Sequence, residues 1–163
     1  MLAIVIYDSK FGNTERIAQA IARGIGTIGG VRVMSAGEAG QPLAERPDLL
    51  LVGGPTQRRG MSPALREFVD ALPAGGFSGL PAASFDTRYR GATLFMGSAA
   101  AEAAKRLGKA GGRLVAKPES FFIGRGGPPE RQTLEMGELE RAEAWGRTVG
   151  TSVLADASAR SVA

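Results

Sequence analysis

LAIVIYDSKFGNTERIA, residues 2–18, is the stretch that decides the fold of this chain. Leu2 to Tyr7 form a short continuous apolar run, which is typical of a strand buried on both faces, as in parallel sheets. Gly12, Asn13 and Thr14 separate this run from a segment in which isoleucines recur every fourth residue, at positions 17, 21 and 25. That spacing places them on one face of a helix. The stretch therefore predicts a strand, a tight turn and a helix in succession.

The same alternation of strand and helix signals continues along the chain. Strands are predicted at residues 31–34, 49–52 and 81–85, and a fifth, interrupted at Pro118, at residues 114–116 and 121–123. Three more helices are predicted: one from Ser62-Pro63 to Pro73, one from Ser98 to Leu107 and one from Leu139 to Val153. Five strands alternating with helices predict an open parallel sheet that is covered by helices on both faces.

The length and composition are those of one domain. With 163 residues, 44% of them hydrophobic, the chain is long enough to bury a core but short for two domains. We predict that residues 1–154 form this domain. Residues 155–163 are small and polar, and they are predicted to be a frayed C-terminal tail.

Two residue types are missing, and their absence excludes several classes of chemistry. The chain has no cysteine, which excludes disulfides, thiolate nucleophiles and cysteine-bound metal clusters. It has no histidine, which removes the commonest metal ligand and the usual general base near neutral pH. We therefore single out no catalytic residue and no metal site. Any reactivity has to be supplied from outside the side chains.

Charge and hydropathy limit the expected partners and location. The net charge of +4 suggests an acidic partner. The basic residues are scattered and are not interleaved with Tyr and Phe, which argues against nucleic-acid binding. No apolar run approaches the length of a membrane span, and the N-terminal MLAIVIYD has neither a basic region nor a cleavage site. We therefore expect a cytoplasmic protein.

The turn after the first predicted strand is a candidate anion-binding loop, because ligands of such sheets bind beyond the carboxyl ends of the strands. The turn runs into a helix N-terminus, where unpaired N–H groups and the helix dipole favour an anion such as phosphate. Gly12 allows close backbone approach, while Ser9, Asn13 and Thr14 can donate hydrogen bonds. A plain helix cap and turn would use the same residues, so both interpretations stay open here.

The turns after the third and fourth predicted strands add candidate contacts. The first of them, residues 53–61, reads GGPTQRRGM; it is longer than a connection requires and has several donors that could wrap a planar ligand. The other, residues 86–91, reads DTRYRG and contains Tyr89, which could stack on such a ligand. Tyr89 could equally be an ordinary surface residue among arginines.

At this point the chain resembles a known family. The spacing Ser9-x-x-Gly12-Asn13-Thr14 resembles the phosphate loop of flavodoxins, and GGPT at residues 53–56 resembles their second flavin loop. The stretches AASFDTRY (82–89), GSAA (97–100), RLVAKPESFFI (113–123) and GELERAEAWG (137–146) resemble a bacterial branch of flavodoxin-like proteins. The likeness runs from Leu2 to about Gly150. It implies a doubly wound, three-layer α/β/α fold with five parallel strands in the order 2-1-3-4-5.

The resemblance also implies a bound cofactor, FMN, held without a covalent link. The chain departs from the family pattern at Phe11, where a threonine is usual, and at Arg58-Arg59, where an aromatic ring can stand. The implied cofactor-binding residues are Ser9, Lys10, Phe11, Gly12, Asn13 and Thr14 at the phosphate, Pro55, Thr56, Gln57, Arg58, Arg59 and Gly60 along one side of the isoalloxazine, and Asp86, Thr87, Arg88 and Tyr89 along the other.

Three functions are compatible with the sequence. The favoured one is an FMN-binding electron carrier whose basic rim docks on an acidic redox partner. The second is an FMN-dependent NAD(P)H or quinone oxidoreductase, and the third is a non-redox scaffold whose loops only bind. In the first two the cofactor would do the chemistry, which is how a chain without His and Cys could be redox-active.

Overall fold

A single parallel sheet forms the centre of the protein. The computed structural model describes residues 1–39, 43, 45–72, 77–91 and 96–161. The strands pair in the order β2-β1-β3-β4-β5, with β6 also paired to β4. Their bounds are β1 (Leu2–Tyr7), β2 (Gly30–Ser35), β3 (Leu49–Pro55), β4 (Pro81–Arg88), β5 (Arg113–Leu114) and β6 (Glu119–Phe122).

Helices cover both faces of this sheet. One core lies between the sheet and α2 and α3, where Leu65, Phe68 and Leu107 pack on Ile6 and Val52. The other lies between the sheet and α1 and α4. No helix in the described ranges is long and apolar enough to cross a membrane. The bounds are α1 (Asn13–Gly26), α2 (Pro63–Asp70), α3 (Ala99–Lys109) and α4 (Glu138–Ser161), with a short 3-10 helix at Pro129–Arg131.

The predicted three-layer fold and strand order 2-1-3-4-5 are confirmed. The fifth strand is split, as its interruption at Pro118 predicts. Both pieces pair in parallel with β4, Arg113 opposite Pro81 and Glu119 opposite Phe85. A proline has no backbone N–H to donate to a neighbouring strand, and an edge strand tolerates such a break best.

Strands β3 and β4 are longer than the sequence analysis predicts, and this changes the face that their last residues present. Gly53 to Pro55 pair with Phe85 to Thr87 instead of starting a loop. Gly53 lies so close to the ring of Phe85 that a Cβ would approach it to 2.3 Å. The glycine is therefore required by packing inside the sheet. Since successive strand residues point to opposite faces, Asp86 and Thr87 belong to different layers.

The end of the chain differs from the predicted frayed tail at residues 155–163. Helix α4 continues to Ser161, so the chain is helical well beyond Leu154. Arg113 of the edge strand β5 pairs with Asp156 at 2.8 Å, which ties this part of the helix to the sheet. The Ala-rich composition of the segment also suits a helix. Residues 162–163 lie outside the described ranges, as does Pro73, where the second helix was expected to end.

Helices α1 and α4 approach each other unusually closely. A Cβ at Gly24 would lie 2.0 Å from the carbonyl oxygen of Glu143, and one at Gly146 would lie 2.3 Å from that of Ile21. These two glycines therefore let the two backbones touch. The contact fixes α1, and with it the loop that precedes α1, against the rest of the domain.

Candidate cofactor-binding site

A cleft of about 460 Å³ opens at the carboxyl ends of β1, β3 and β4, where the three predicted loops converge. Most of the predicted site residues line it: Lys10, Phe11, Asn13, Pro55, Thr56, Gln57, Arg58, Arg59, Thr87, Arg88 and Tyr89. Five others do not line it: Ser9, Gly12, Thr14, Gly60 and Asp86. Binding by any of these residues stays a prediction, but the structure brings the three loops together as expected.

Hydrogen bonds at Thr87 join the three loops. The hydroxyl oxygens of Thr14 and Thr87 lie 2.7 Å apart in a buried contact. The backbone N–H of Thr56 donates to the carbonyl oxygen of Thr87 over 3.0 Å. One residue at the end of β4 thus holds both the start of α1 and the second loop. Thr14, predicted to donate to a phosphate, uses its hydroxyl in this contact, in which either hydroxyl can be the donor.

The first loop offers an uncapped helix N-terminus. Gly12 occupies the N-cap position in the left-handed conformation, with φ of 83°, and no side chain caps the helix. A Cβ built on Gly12 would meet nothing within 4 Å. The hydroxyl of Ser9 is buried and has no hydrogen-bond partner in the described part of the chain. Unpaired donors at a helix N-terminus favour an anion, so these residues fit a phosphate group.

Lys10 and Asn13 complete this corner of the cleft. The side-chain amide of Asn13 donates to the carbonyl oxygen of Gln132 over 2.8 Å, and its second N–H remains to be used. The ammonium of Lys10 lies 5.1 Å from the ring centre of its neighbour Phe11, which is 44% exposed. A cation therefore stands beside the predicted phosphate position.

The second loop contains a strained hairpin turn. Gln57 and Gly60 exchange two backbone hydrogen bonds of 2.9 Å, and the two residues between them have positive φ: 45° at Arg58 and 72° at Arg59. Positive φ at both central residues is the feature of a type I′ turn, which strongly prefers Asn-Gly. For a residue other than glycine, such a conformation is unfavourable by about 1–3 kcal/mol. The surrounding structure has to hold the two arginines in place.

Two contacts support this turn. Gly97 approaches the backbone of Arg59 so closely that a Cβ there would lie 2.0 Å from its carbonyl oxygen. Glu102 of α3 accepts a 2.8 Å hydrogen bond from the N–H of Met61. The guanidinium of Arg66, together with the Met61 N–H and Arg106, holds the pKa of Glu102 at about 2. Glu102 therefore stays charged and anchors the base of the turn.

Asp86 lies behind the cleft rather than in its wall. It is wholly buried on the α3 side of the sheet, because the strand continues past Phe85 and its alternation turns Asp86 away from α1. Its Oδ2 accepts hydrogen bonds from the hydroxyl of Thr56 at 3.0 Å, the hydroxyl of Ser98 at 2.6 Å and the N–H of Ala100 at 3.0 Å. Asp86 thus orients Thr56 and does not itself line the cleft.

Tyr89 stands at the third side of the cleft. Its hydroxyl hydrogen-bonds the side-chain carbonyl of Gln132, and the guanidinium of Arg125 lies 5.5 Å from its ring centre. Arg125 is not among the residues that line the cleft. Arg125 therefore contacts the ring from outside the cleft, whereas Gln132, which binds the hydroxyl, is itself part of the cleft lining.

The arginines of the third loop are engaged in local contacts. Arg88, whose side chain is 10% exposed, donates to the hydroxyl of Ser120 over 3.0 Å and lies 3.9 Å from Asp86. Arg90 pairs with Glu135 at 2.7 Å and does not line the cleft. Of these two, only Arg88 belongs to the cleft, and its charge is partly offset.

Sequence reasoning missed four residues that line the cleft: Met96, Ile123, Pro129 and Gln132. Three of them belong to the segment after β6, where Ile123 pairs with Leu134 in an antiparallel bridge that folds the segment back beside Tyr89. The Gly-Gly-Pro-Pro run at residues 126–129 signals a turn, but nothing local shows where the turn goes. In the described ranges, no group of acidic residues could hold a metal ion.

Comparisons with known proteins agree with this geometry. A family model described as Flavodoxin matches residues 5–145. One similar solved structure is a flavodoxin from the domain Archaea, with a TM-score of 0.75 and 23% identity over 94% of this chain and 99% of that chain. Another is flavodoxin 1 from Bacillus cereus, with a TM-score of 0.75 and 21% identity over 91% of this chain and 97% of that chain. A third is a flavodoxin, WrbA-like protein from Agrobacterium tumefaciens, with a TM-score of 0.70 and 20% identity over 93% of this chain and 96% of that chain. No curated protein matches significantly. Since the family model spans most of the sequence, this chain belongs to the flavodoxin family.

Proposed function

We propose that the protein binds FMN without a covalent link and transfers electrons as a carrier. The observation that carries the proposal is the cleft itself, in which an uncapped helix N-terminus and three hydrogen-bonded loops surround about 460 Å³. Family membership supports FMN as the ligand, because flavodoxins bind that cofactor. A cytoplasmic location remains a prediction.

The predicted residues would divide the work by position. Ser9, Lys10 and Asn13, with the backbone N–H groups of Gly12 and Thr14, would hold the phosphate at the start of α1.

The other two loops would hold the ring system. Thr56 and Gln57 would border it on one side, and Thr87 and Tyr89 on the other. Asp86 would act indirectly, by fixing the Thr56 hydroxyl. The bound cofactor would supply the redox chemistry, and the protein supplies position and electrostatics.

The partner expected of such a carrier is an acidic protein. The mouth of the cleft carries exposed Lys10, Arg58 and Arg59, together with the exposed ring of Phe11. A positive rim around an apolar centre complements a partner surface that is rich in carboxylates. We expect association with such a partner to weaken as salt is added, because screening reduces electrostatic steering.

A second candidate is an FMN-dependent NAD(P)H or quinone oxidoreductase. The observation in its favour is the apolar part of the cleft wall, formed by Met96, Ile123 and Pro129. Apolar side chains beside a few polar groups are typical of sites for small planar molecules. Oxidation of NAD(P)H by a quinone, catalysed by the purified protein alone, would favour this candidate over the carrier.

Flavin binding is the experiment that tests the proposal. We expect flavin bands in the visible spectrum of the purified protein after FMN is added, and affinity for FMN at least about tenfold higher than for riboflavin, which lacks the phosphate. Lys10→Met should weaken FMN binding, whereas Lys117→Met, which removes the same charge outside the cleft, should not. A protein that binds neither flavin would be the non-redox scaffold.

A further inference from the structure

We propose that the Arg58–Arg59 turn makes the cleft bind reduced, negatively charged flavin in preference to oxidised, neutral flavin, and so raises the reduction potential of the bound cofactor. The inference rests on the proposed function, since it requires FMN in the cleft. It concerns the charge of this chain's own side chains around the ring, which family membership does not specify.

The charges that line the cleft are of one sign. Lys10, Arg58, Arg59 and Arg88 line it, and no Asp or Glu does. Arg88 is offset by Asp86, 3.9 Å away. Lys10 and Arg58 form no ion pair with any residue that the structure describes. The residues outside the described ranges include no Asp or Glu, so they add no side-chain carboxylate. The charges of Lys10 and Arg58 are therefore not balanced by carboxylates among the residues that line the cleft.

The two arginines are held at the cleft by the fold, at a cost in backbone strain. Both have positive φ in a turn for which Asn-Gly is the favoured sequence. The paired hydrogen bonds between Gln57 and Gly60 close the turn, and the tight approach of Gly97 fixes its backbone. Strained conformations of this kind occur where the surroundings over-determine them, which is common at ligand clamps. The backbone of the turn is thus fixed at the cleft, and it carries two arginine side chains there.

The position of a cation decides which form of the cofactor it favours. Oxidised flavin takes up two electrons and one proton, so the ring gains one negative charge, while the phosphate keeps its charge. Lys10, beside the phosphate loop, should strengthen binding of both forms alike. Arg58 and Arg59, on the loop predicted to border the ring, should strengthen binding of the reduced form more. Only such differential binding shifts an equilibrium.

The size of the effect follows from Coulomb's law. A unit charge about 7 Å from the ring, at an effective dielectric constant of about 20, changes the ratio of the two dissociation constants at least about tenfold. A tenfold change corresponds to about 30 mV for a two-electron couple. Added salt should reduce the effect, because the arginines are exposed.

The decisive variants keep the turn and change only its charge. Arg58→Asn with Arg59→Gly removes both charges and installs the dipeptide that this turn prefers, so the hairpin should remain folded. Arg58→Lys with Arg59→Lys keeps both charges. Lys10→Met removes a cation from the phosphate loop. Anaerobic titrations with FMN and with dithionite-reduced FMN, at mildly alkaline pH, give the two dissociation constants, and the midpoint potential checks their ratio.

We expect the preference of the Asn-Gly variant for the reduced form to fall at least about tenfold, and its reduction potential to be lower by at least about 30 mV. The Lys-Lys variant should retain the preference. Lys10→Met should weaken the binding of both oxidised and reduced FMN and leave the ratio of the two dissociation constants unchanged. A ratio that survives in the Asn-Gly variant, or that falls equally in the Lys-Lys variant, would overturn the inference alone. A wild-type protein that binds neither form would overturn the proposed function as well.

Discussion

The hydroxyl groups of Thr14 and Thr87 form a buried hydrogen bond, with their oxygens 2.7 Å apart, between the first turn of α1 and the end of β4. The two residues are 73 positions apart in the chain. The carbonyl oxygen of Thr87 also accepts a hydrogen bond from the backbone N–H of Thr56. This contact sets the spacing of the loops around the cleft, so it should affect both stability and flavin affinity.

Removing one hydroxyl of this pair should destabilise the protein. Thr87→Val keeps the shape of the side chain but leaves the buried Thr14 hydroxyl without its partner, at a cost of about 1–3 kcal/mol in the free energy of unfolding. The double variant with Thr14→Val should cost less than the two single variants together. Urea unfolding of the three proteins measures this. Strictly additive losses would show that the hydroxyls do not interact.

Replacing Ser9 should change the affinity for FMN without lowering the free energy of unfolding. Its hydroxyl is buried and makes no hydrogen bond in the described part of the chain, so Ser9→Ala should leave the free energy of unfolding within about 0.5 kcal/mol or raise it. If the hydroxyl holds the phosphate, the same variant should bind FMN about tenfold more weakly and riboflavin unchanged. Equal weakening of both flavins would place the hydroxyl elsewhere.

We predict opposite effects on stability for alanine substitutions at two helical glycines, of which one lies at the close contact of α1 and α4 and the other in α3. Gly146→Ala puts a Cβ 2.3 Å from the carbonyl oxygen of Ile21, so the helices must separate, and we expect a loss of at least about 2 kcal/mol. Gly108→Ala in α3 meets nothing within 4 Å and should stabilise the protein by up to about 1 kcal/mol. Thermal unfolding compares them. A harmless Gly146→Ala would contradict the packing described above.

Glu102 makes part of the stability depend on pH. Its pKa is held at about 2, below the ordinary 4.5, by Arg66, the Met61 N–H and Arg106. A lowered folded-state pKa adds stability above the unfolded value, and this is lost as pH falls from about 5 to about 2. Glu102→Gln should therefore lose on the order of 1–2 kcal/mol at neutral pH, after allowance for solvent screening.

The control for this variant is Glu140→Gln on the exposed face of α4. Unfolding curves measured from neutral to acidic pH should show the Glu102→Gln variant converging with the wild type as pH falls, whereas the control should follow the wild type throughout. A gap between Glu102→Gln and wild type that is constant with pH would show that the carboxylate's charge is not the cause.

Much of the fold could be predicted because its signals are local. The apolar run of β1, the isoleucine spacing of α1 and the Ser62-Pro63 start of α2 each appear in the structure where expected. A strand or a helix is encoded in the period of its own side chains, so a short window is enough to recognise it. The resemblance to flavodoxins then supplied the strand order.

The strand ends and the helix end were misjudged because they depend on distant residues. Gly53 reads locally as a loop glycine, and only the ring of Phe85 shows why it belongs in a strand. The tail after Leu154 reads as frayed, whereas its helix continues to Ser161 and Asp156 pairs with Arg113 of the distant strand β5. Such contacts join residues that are far apart in sequence, and no local window contains both partners.

The sequence by itself determined which loops would meet, since the carboxyl ends of parallel strands lie at one edge of a sheet. Tertiary structure alone decided what each side chain does there: that Asp86 faces α3, that Thr14 contacts Thr87, that Gln132 contacts Tyr89, and that Arg58 and Arg59 occupy a strained turn. The reason is physical. Chain direction follows from local periodicity, but a side chain's partners follow from strand register and helix packing, which exist only once the whole domain has folded.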